Sequence, residues 1–146
     1  MKTAIVYASV HHGNTKKLVD AVAAQDNTVE VFDITSGKEK DLSAYDRIGI
    51  ASGIYFSKYN EKLLAFTEKN LPMNKEVFFM HTAGSPRENQ NDAIKKITDA
   101  KKCKCLGTYF CKGFDTYGPF KLIGGIAKGH PDVGEIADGV TFYQNL

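Results

Sequence analysis

Short apolar runs alternate with stretches of helical spacing along this whole chain, and that rhythm restricts it to very few architectures. Thr3–Ala8 (TAIVYA) is rich in β-formers and ends in a polar, Gly-containing turn; residues 15–24 then place Leu18, Val19, Val22 and Ala23 on one helical face. Val29–Ile34 alternates like a strand, residues 35–46 are polar without a strong period, and Arg47–Ala51 is a third strand followed by SGIY. Residues 58–69 carry Tyr59, Leu63, Leu64 and Phe66 as a second helix, stopped at Asn70-Leu71-Pro72. A fourth strand, Glu76–His81, runs into TAGSP, and residues 89–101 form a third helix through Ala93, Ile94, Ile97 and Ala100. Leu106–Cys111 is the fifth strand, residues 112–130 are a long Gly-rich loop, and Pro131 opens a last helix through Val133, Ile136, Ala137 and Val140.

Strands separated by helices of this length pair in parallel through right-handed crossovers. The expectation is an α/β protein: a three-layer α/β/α sandwich on a five-stranded parallel sheet. Without a linker, repeat or low-complexity stretch, residues 1–146 read as a single domain. Such sheets bind ligands beyond the carboxyl ends of their strands, so the turns after strands 1, 3, 4 and 5 are where function belongs.

Composition narrows the classes. No run of 18 apolar residues occurs, so no membrane span is expected. The start, MKTAIVYAS, reads as a strand rather than a signal peptide, and Cys103, Cys105 and Cys111 are odd in number; both suggest a reducing, cytoplasmic setting. Cys105 and Cys111 read as buried small hydrophobes, with Cys111 the one candidate redox thiol. The net charge of +2 is too weak for nucleic-acid binding. Residues 93–130 nevertheless hold eight Lys against Asp99 and Asp115, either a solvated basic face or a docking surface for an acidic partner.

The first turn, Ser9-Val10-His11-His12-Gly13-Asn14-Thr15, is rich in hydroxyl, amide and imidazole donors and precedes a helix N-terminus. A loop of that kind, facing unpaired N–H groups and the positive end of the helix dipole, is suited to an anion. Lys16 and Lys17 stand where a first helical turn favours acids, which a bound phosphate would answer. The plainer alternative is an N-cap by Asn14 or Thr15 with the two His exposed. Neither the dinucleotide G-x-G-x-x-G nor the Walker pattern is present, and vicinal His11-His12 lacks a third ligand at usable spacing, so no metal is expected. Strand 3 ends in Ser52-Gly53-Ile54-Tyr55-Phe56-Ser57, where Tyr55 and Phe56 could wall a flat ring or Ile54 and Phe56 could simply enter the core. Strand 4 ends in Thr82-Ala83-Gly84-Ser85-Pro86, small residues that admit a ligand edge to the backbone or make an ordinary tight turn.

Together these residues resemble a flavodoxin. The Ser…Gly-Asn-Thr loop is similar to the family's FMN-phosphate loop, SGIYF and TAGSP sit where its second and third FMN loops lie, and the segments Cys111–Gly118 and Lys128–Pro131 resemble the tail of a flavodoxin-like branch. The resemblance implies the strand order 2-1-3-4-5 with FMN at the switch point. It implies that Ser9, His11, Gly13, Asn14, Thr15 and the backbone from Val10 hold the phosphate. It assigns Ser52, Gly53, Ile54, Tyr55 and nearby Phe56 to one side of the isoalloxazine, Thr82, Ala83 and Gly84 to its pyrimidine edge, and Asp115 and Tyr117 to an approach from strand 5. The chain departs from the family in its His11-His12 pair, in a Ser9 one residue further out, in its basic balance, and in the absence of an aromatic from TAGSP.

The implied function is an FMN-binding carrier shuttling low-potential electrons between redox partner proteins, with the chemistry in the flavin and the tuning in the protein; the sequence leaves the oligomeric state open, a monomer being the expectation. Tyr55 stacking and main-chain dipoles would disfavour the reduced anion. The rival is an FMN-dependent oxidoreductase acting on a quinone, a porphyrinogen or NAD(P)H. A phosphoacceptor domain of the same topology would need carboxylates where Ser9–His12 and Ser52-Gly53 stand. A flavin-free interaction domain is a third possibility, separated from the others by the colour of the purified protein.

Overall fold

The computed structural model describes residues 1–10, 12–116 and 118–146. Its elements are β1 (Thr3–Ala8), α1 (Asn14–Gln25), β2 (Val29–Asp33), β3 (Arg47–Tyr55), β4 (Lys58–Tyr59), α2 (Glu61–Asn70), β5 (Glu76–Ala83), α3 (Asp92–Ala100), β6 (Lys104–Lys112) and α4 (Val133–Gln144). Five strands pair in parallel in the order β2-β1-β3-β5-β6, the expected 2-1-3-4-5 once short β4 is set aside.

Both faces of the sheet are covered, so its central strands are apolar throughout. All six residues of β1 are buried. Ala4, Val6 and Ala8 point with Ile48, Ile50, Val77 and Phe79 toward Leu63 of α2 and Ile94 of α3. Ile5 and Tyr7 point the other way, with Phe78 and Met80, toward Leu18, Val19 and Val22 of α1 and Tyr143 of α4. The period-2 alternation of the strands thus feeds two cores, each large side chain contributing roughly 1.5–3 kcal/mol by burial.

The departures from expectation cluster near the carboxyl end of the sheet. β3 continues through Ser52 to Tyr55 and turns at Phe56-Ser57 into β4, which pairs antiparallel with it (Tyr55 with Lys58, Ile54 with Tyr59). The second helix therefore starts at Glu61, not 58, capped by Asn60 Oδ1, which accepts from Lys62 N and Leu63 N. The 89–101 stretch divides into a 3-10 turn, Glu88–Asn91, and α3. Gly13, in the left-handed region at φ 67°, is the N-cap of α1, not Asn14 or Thr15. The loop at 112–130 contains a 3-10 turn, Gly118–Ile123, and an antiparallel bridge between Asp115 and Ile126.

Two expectations about composition change in three dimensions. The basic segment is not one face: Lys104 opens nine-residue β6, just after Lys101 and Lys102 in the turn from α3, and Lys112 ends it about 25 Å away, with Lys101 Nζ bound to Leu71 O. Cys105, expected to be buried, is exposed near the start of β6, while Cys111 is buried. Among the described residues no helix is long and apolar enough to cross a membrane.

Candidate functional site

The ends of β1, β3 and β5 are adjacent in the sheet, so the three turns meet. Ser9, Asn14, Thr15, Gly53, Ile54, Tyr55, Thr82, Ala83 and Gly84 line one narrow gap with Gly113, Phe114 and Asp115. Its volume of about 20 Å³ is that of a water site. It adjoins a larger cavity of about 250 Å³, sharing Ile54, Ala83, Gly84 and Asp115 with it and adding Phe56, Ser57, Ser85, Arg87, Gln90 and Phe120.

At the first turn, Ser9 Oγ accepts from Lys16 N (3.0 Å), which draws the turn onto α1. The N–H groups of Asn14 and Thr15, in the first turn of α1, have no acceptor inside the helix. Asn14 is 8% exposed; its Nδ2 donates to Phe114 O (2.9 Å), and its buried Oδ1 has no hydrogen-bond partner among the described residues. Lys16 pairs with Asp20, so part of the positive charge expected at this turn is neutralised within α1. His12 stacks on Phe114 (4.5 Å between centroids) and its Nε2 lies 2.9 Å from Thr116 Oγ1. His11 and Tyr117 lie outside the described residues.

The second turn is a strained hairpin tip. Phe56 and Ser57 have φ of 51° and 64°, in the left-handed region that such residues rarely adopt, and Phe56 is 76% exposed. Tyr55 folds back toward the first turn, its hydroxyl accepting from Val10 N at 3.2 Å. Buried Ser52 holds the turn from behind, its Oγ accepting from Asn60 N (2.9 Å).

The third turn is anchored by His81, a fully buried residue of β5. Its Nε2 is 2.8 Å from Arg87 O, a carbonyl that can only accept, so Nε2 carries the proton; Nδ1 faces the Tyr59 hydroxyl at 3.2 Å. Burial drives the His81 pKa down to about 4, against the opposing effect of the Arg87 carbonyl. Arg87 NH2 reaches across to Ser57 Oγ (3.3 Å), joining the second and third turns.

The segment after β6 is part of the site, a role that its Gly-rich composition conceals. Gly113 N donates to Ala83 O (2.9 Å), and a Cβ on Gly113 would stand 2.7 Å from Asn14 Nδ2. Gly84 lies so close to Ile126 that a Cβ there would stand 2.4 Å from Cδ1. Asp115, singled out from the sequence, lines both cavities; Ser57, Arg87, Gln90, Gly113, Phe114 and Phe120 were not singled out as ligand-site residues. Burial and the nearby Glu135 push the Cys111 thiol up to about 12, so it is not a nucleophile at neutral pH. His130, Asp132 and Glu135 gather their ligand atoms within 4.8 Å, but Glu135 is already engaged: it completes the capping box of α4 and accepts from Lys112 N and His130.

A doubly wound parallel sheet in this order, with a cleft at the switch point, defines the flavodoxin-like class of α/β proteins. Residues 4–108 match the flavodoxin domain family, and the chain belongs to it. It is 34% identical over 148 positions to an uncharacterized protein of Methanocaldococcus jannaschii, covering 100% of this chain and 98% of that protein. It superposes on a flavodoxin of Streptococcus pneumoniae with a TM-score of 0.70 at 17% identity, covering 99% of this chain and 96% of the other. The corresponding values for Fusobacterium nucleatum flavodoxin bound to flavin mononucleotide are 0.67, 15%, 99% and 98%.

Proposed function

We propose that this protein binds FMN in the cleft and serves as a low-potential electron carrier between redox partner proteins. The observation that carries the reading is the buried Asn14 amide oxygen, without a hydrogen-bond partner among the described residues and placed where the N-terminus of α1 meets the turns after β3 and β5. An anion and a chain of hydroxyls satisfy that donor and acceptor set together: the N–H groups at the helix start suit a phosphate, and the Asn14 carboxamide suits the ribityl hydroxyls. The neighbouring cavity offers apolar walls from Ile54, Phe56, Ala83 and Phe120 to a flat ring.

In this reading Ser9, Gly13, Asn14 and Thr15 hold the phosphate. Val10 N joins them once the Tyr55 hydroxyl releases it. Gly53, Ile54, Tyr55 and Phe56 form one side of the ring site, with buried Ser52 holding their turn from behind, and Thr82, Ala83 and Gly84 present backbone groups to the ring edge. FMN, when bound, supplies the uptake and release of one or two electrons. The chain orients it, excludes water and sets its potential.

The test is an absorbance spectrum of protein purified without added flavin, followed by titration of FMN with fluorescence detection and an anaerobic reductive titration. Quenched FMN fluorescence and a reversible reduction support the reading. Colourless protein that quenches no FMN overturns it.

A further inference from the structure

We infer that Arg87 is a tuning residue of the cleft, a fixed positive charge that favours the reduced, anionic cofactor over the oxidised one. The inference rests on the FMN reading above. Arg87 stands in the wall of the 250 Å³ cavity, between the second and third turns. Its backbone is held at both polar groups: the N–H donates to Gln90 Oε1 (2.8 Å) and the carbonyl accepts from His81 Nε2 (2.8 Å). His81 is itself immobilised, stacked on Phe110 with centroids 5.1 Å apart and planes 9° from parallel. Gln90 returns to the turn through Ser85 O (3.3 Å). The guanidinium then donates to Ser57 Oγ (3.3 Å), another residue of the same wall. The backbone anchor originates in the buried core, at His81.

The charge is permanent, because an arginine does not lose its proton in a protein. Its surroundings make it count: a ring that fills the cavity replaces water beside the guanidinium with apolar atoms, which lowers the screening. Uptake of two electrons and one proton by FMN leaves the ring with one additional negative charge. A cation in the wall therefore binds the reduced form more tightly than the oxidised form, and by linkage raises the midpoint potential. Asp115 lines the same cavity and acts in the opposite sense. The pair sets the potential between two limits, and the low potential expected of a carrier is tempered from the Arg87 side.

The experiment is an anaerobic potentiometric titration of FMN-loaded wild type and of Arg87→Gln, Arg87→Lys, Ser57→Ala and Asp115→Asn, with the Kd for oxidised FMN measured alongside. Arg87→Gln is expected to lose roughly three- to tenfold in preference for the reduced form, a fall of about 15–30 mV for a two-electron couple. Arg87→Lys retains most of the wild-type value, Ser57→Ala lowers it by less than Arg87→Gln does, and Asp115→Asn moves it upward. Normal FMN uptake with an unaltered potential in Arg87→Gln overturns the inference alone. So does an equal fall in Arg87→Lys and Ser57→Ala, which would mark a merely structural contact. Failure of the wild type to take up FMN overturns the flavin reading and this inference with it.

Discussion

The hydroxyls of Thr15 and Thr82 meet at 2.9 Å, with both side chains buried. This bond fastens the first turn of α1 to the end of β5, so two of the three turns are held in register by a single contact between side chains. Removing one partner leaves a buried hydroxyl unsatisfied, whereas removing both is closer to neutral. Thr82→Val and Thr15→Val should each cost about 1–3 kcal/mol in denaturant unfolding, and the double variant less than their sum. A strictly additive cycle would show that the hydroxyls are not coupled.

His81 makes stability depend on acid. Its folded pKa, about 4, lies below the ordinary histidine value of 6.5, so between these values the unfolded chain binds the extra proton. Stability should therefore be complete above pH 6.5, fall as the pH drops toward 4, and flatten below, as far as this group is concerned. The full loss is about 3 kcal/mol as an order of magnitude. Denaturant midpoints across pH 4–7 check it: the slope should shrink in His81→Gln, and a slope equal to that of wild type would assign it to other groups.

Gly84 should tolerate no side chain. A Cβ there would stand 2.4 Å from Ile126 Cδ1 and 2.9 Å from Asp115 Cβ. Gly84→Ala is expected to cost about 1–3 kcal/mol and to loosen residues 113–126. Amide exchange would register this as faster exchange at Asp115 and Ile126, whose N–H groups each donate to the other's carbonyl (2.9 and 2.8 Å). Ile126→Ala in the Gly84→Ala background should restore part of the protection.

The Phe56-Ser57 tip carries strain that better turn residues would relieve. Two positive φ angles between paired strands suit Asn-Gly. The double substitution Phe56→Asn, Ser57→Gly should raise stability by roughly 1–2 kcal/mol, read from the shift in Tm, while weakening FMN binding in a fluorescence titration because Phe56 lines the cavity. Unchanged affinity would remove Phe56 from the ring site.

What could be read from the chain was whatever period and burial dictate. Thr3–Ala8 and Glu76–His81 are apolar because both faces of the sheet are covered, so their strands and the parallel order around them were visible. The hairpin at Tyr55–Lys58 was hidden because Phe-Ser carries no turn signature; the strain at that tip is also what obscured it. Residues 112–130 looked like a plain loop because their structure comes from distant partners: Gly113 from Ala83, Phe114 from Asn14 and His12. Arg87 gave no signal as a ligand-site residue, since the capping box it makes with Gln90 and the bond from buried His81 to its carbonyl fix its backbone without marking where its side chain goes.

The segment that closes over Asn14 and Gly84 is encoded late in the chain, beyond β6. A growing polypeptide would carry all three turns well before it carried the wall that presses on them. Capture of a ligand in the finished geometry would therefore wait for the segment after β6 to be made, and a cut just after Lys112 would disable the cleft while sparing every residue of its three turns.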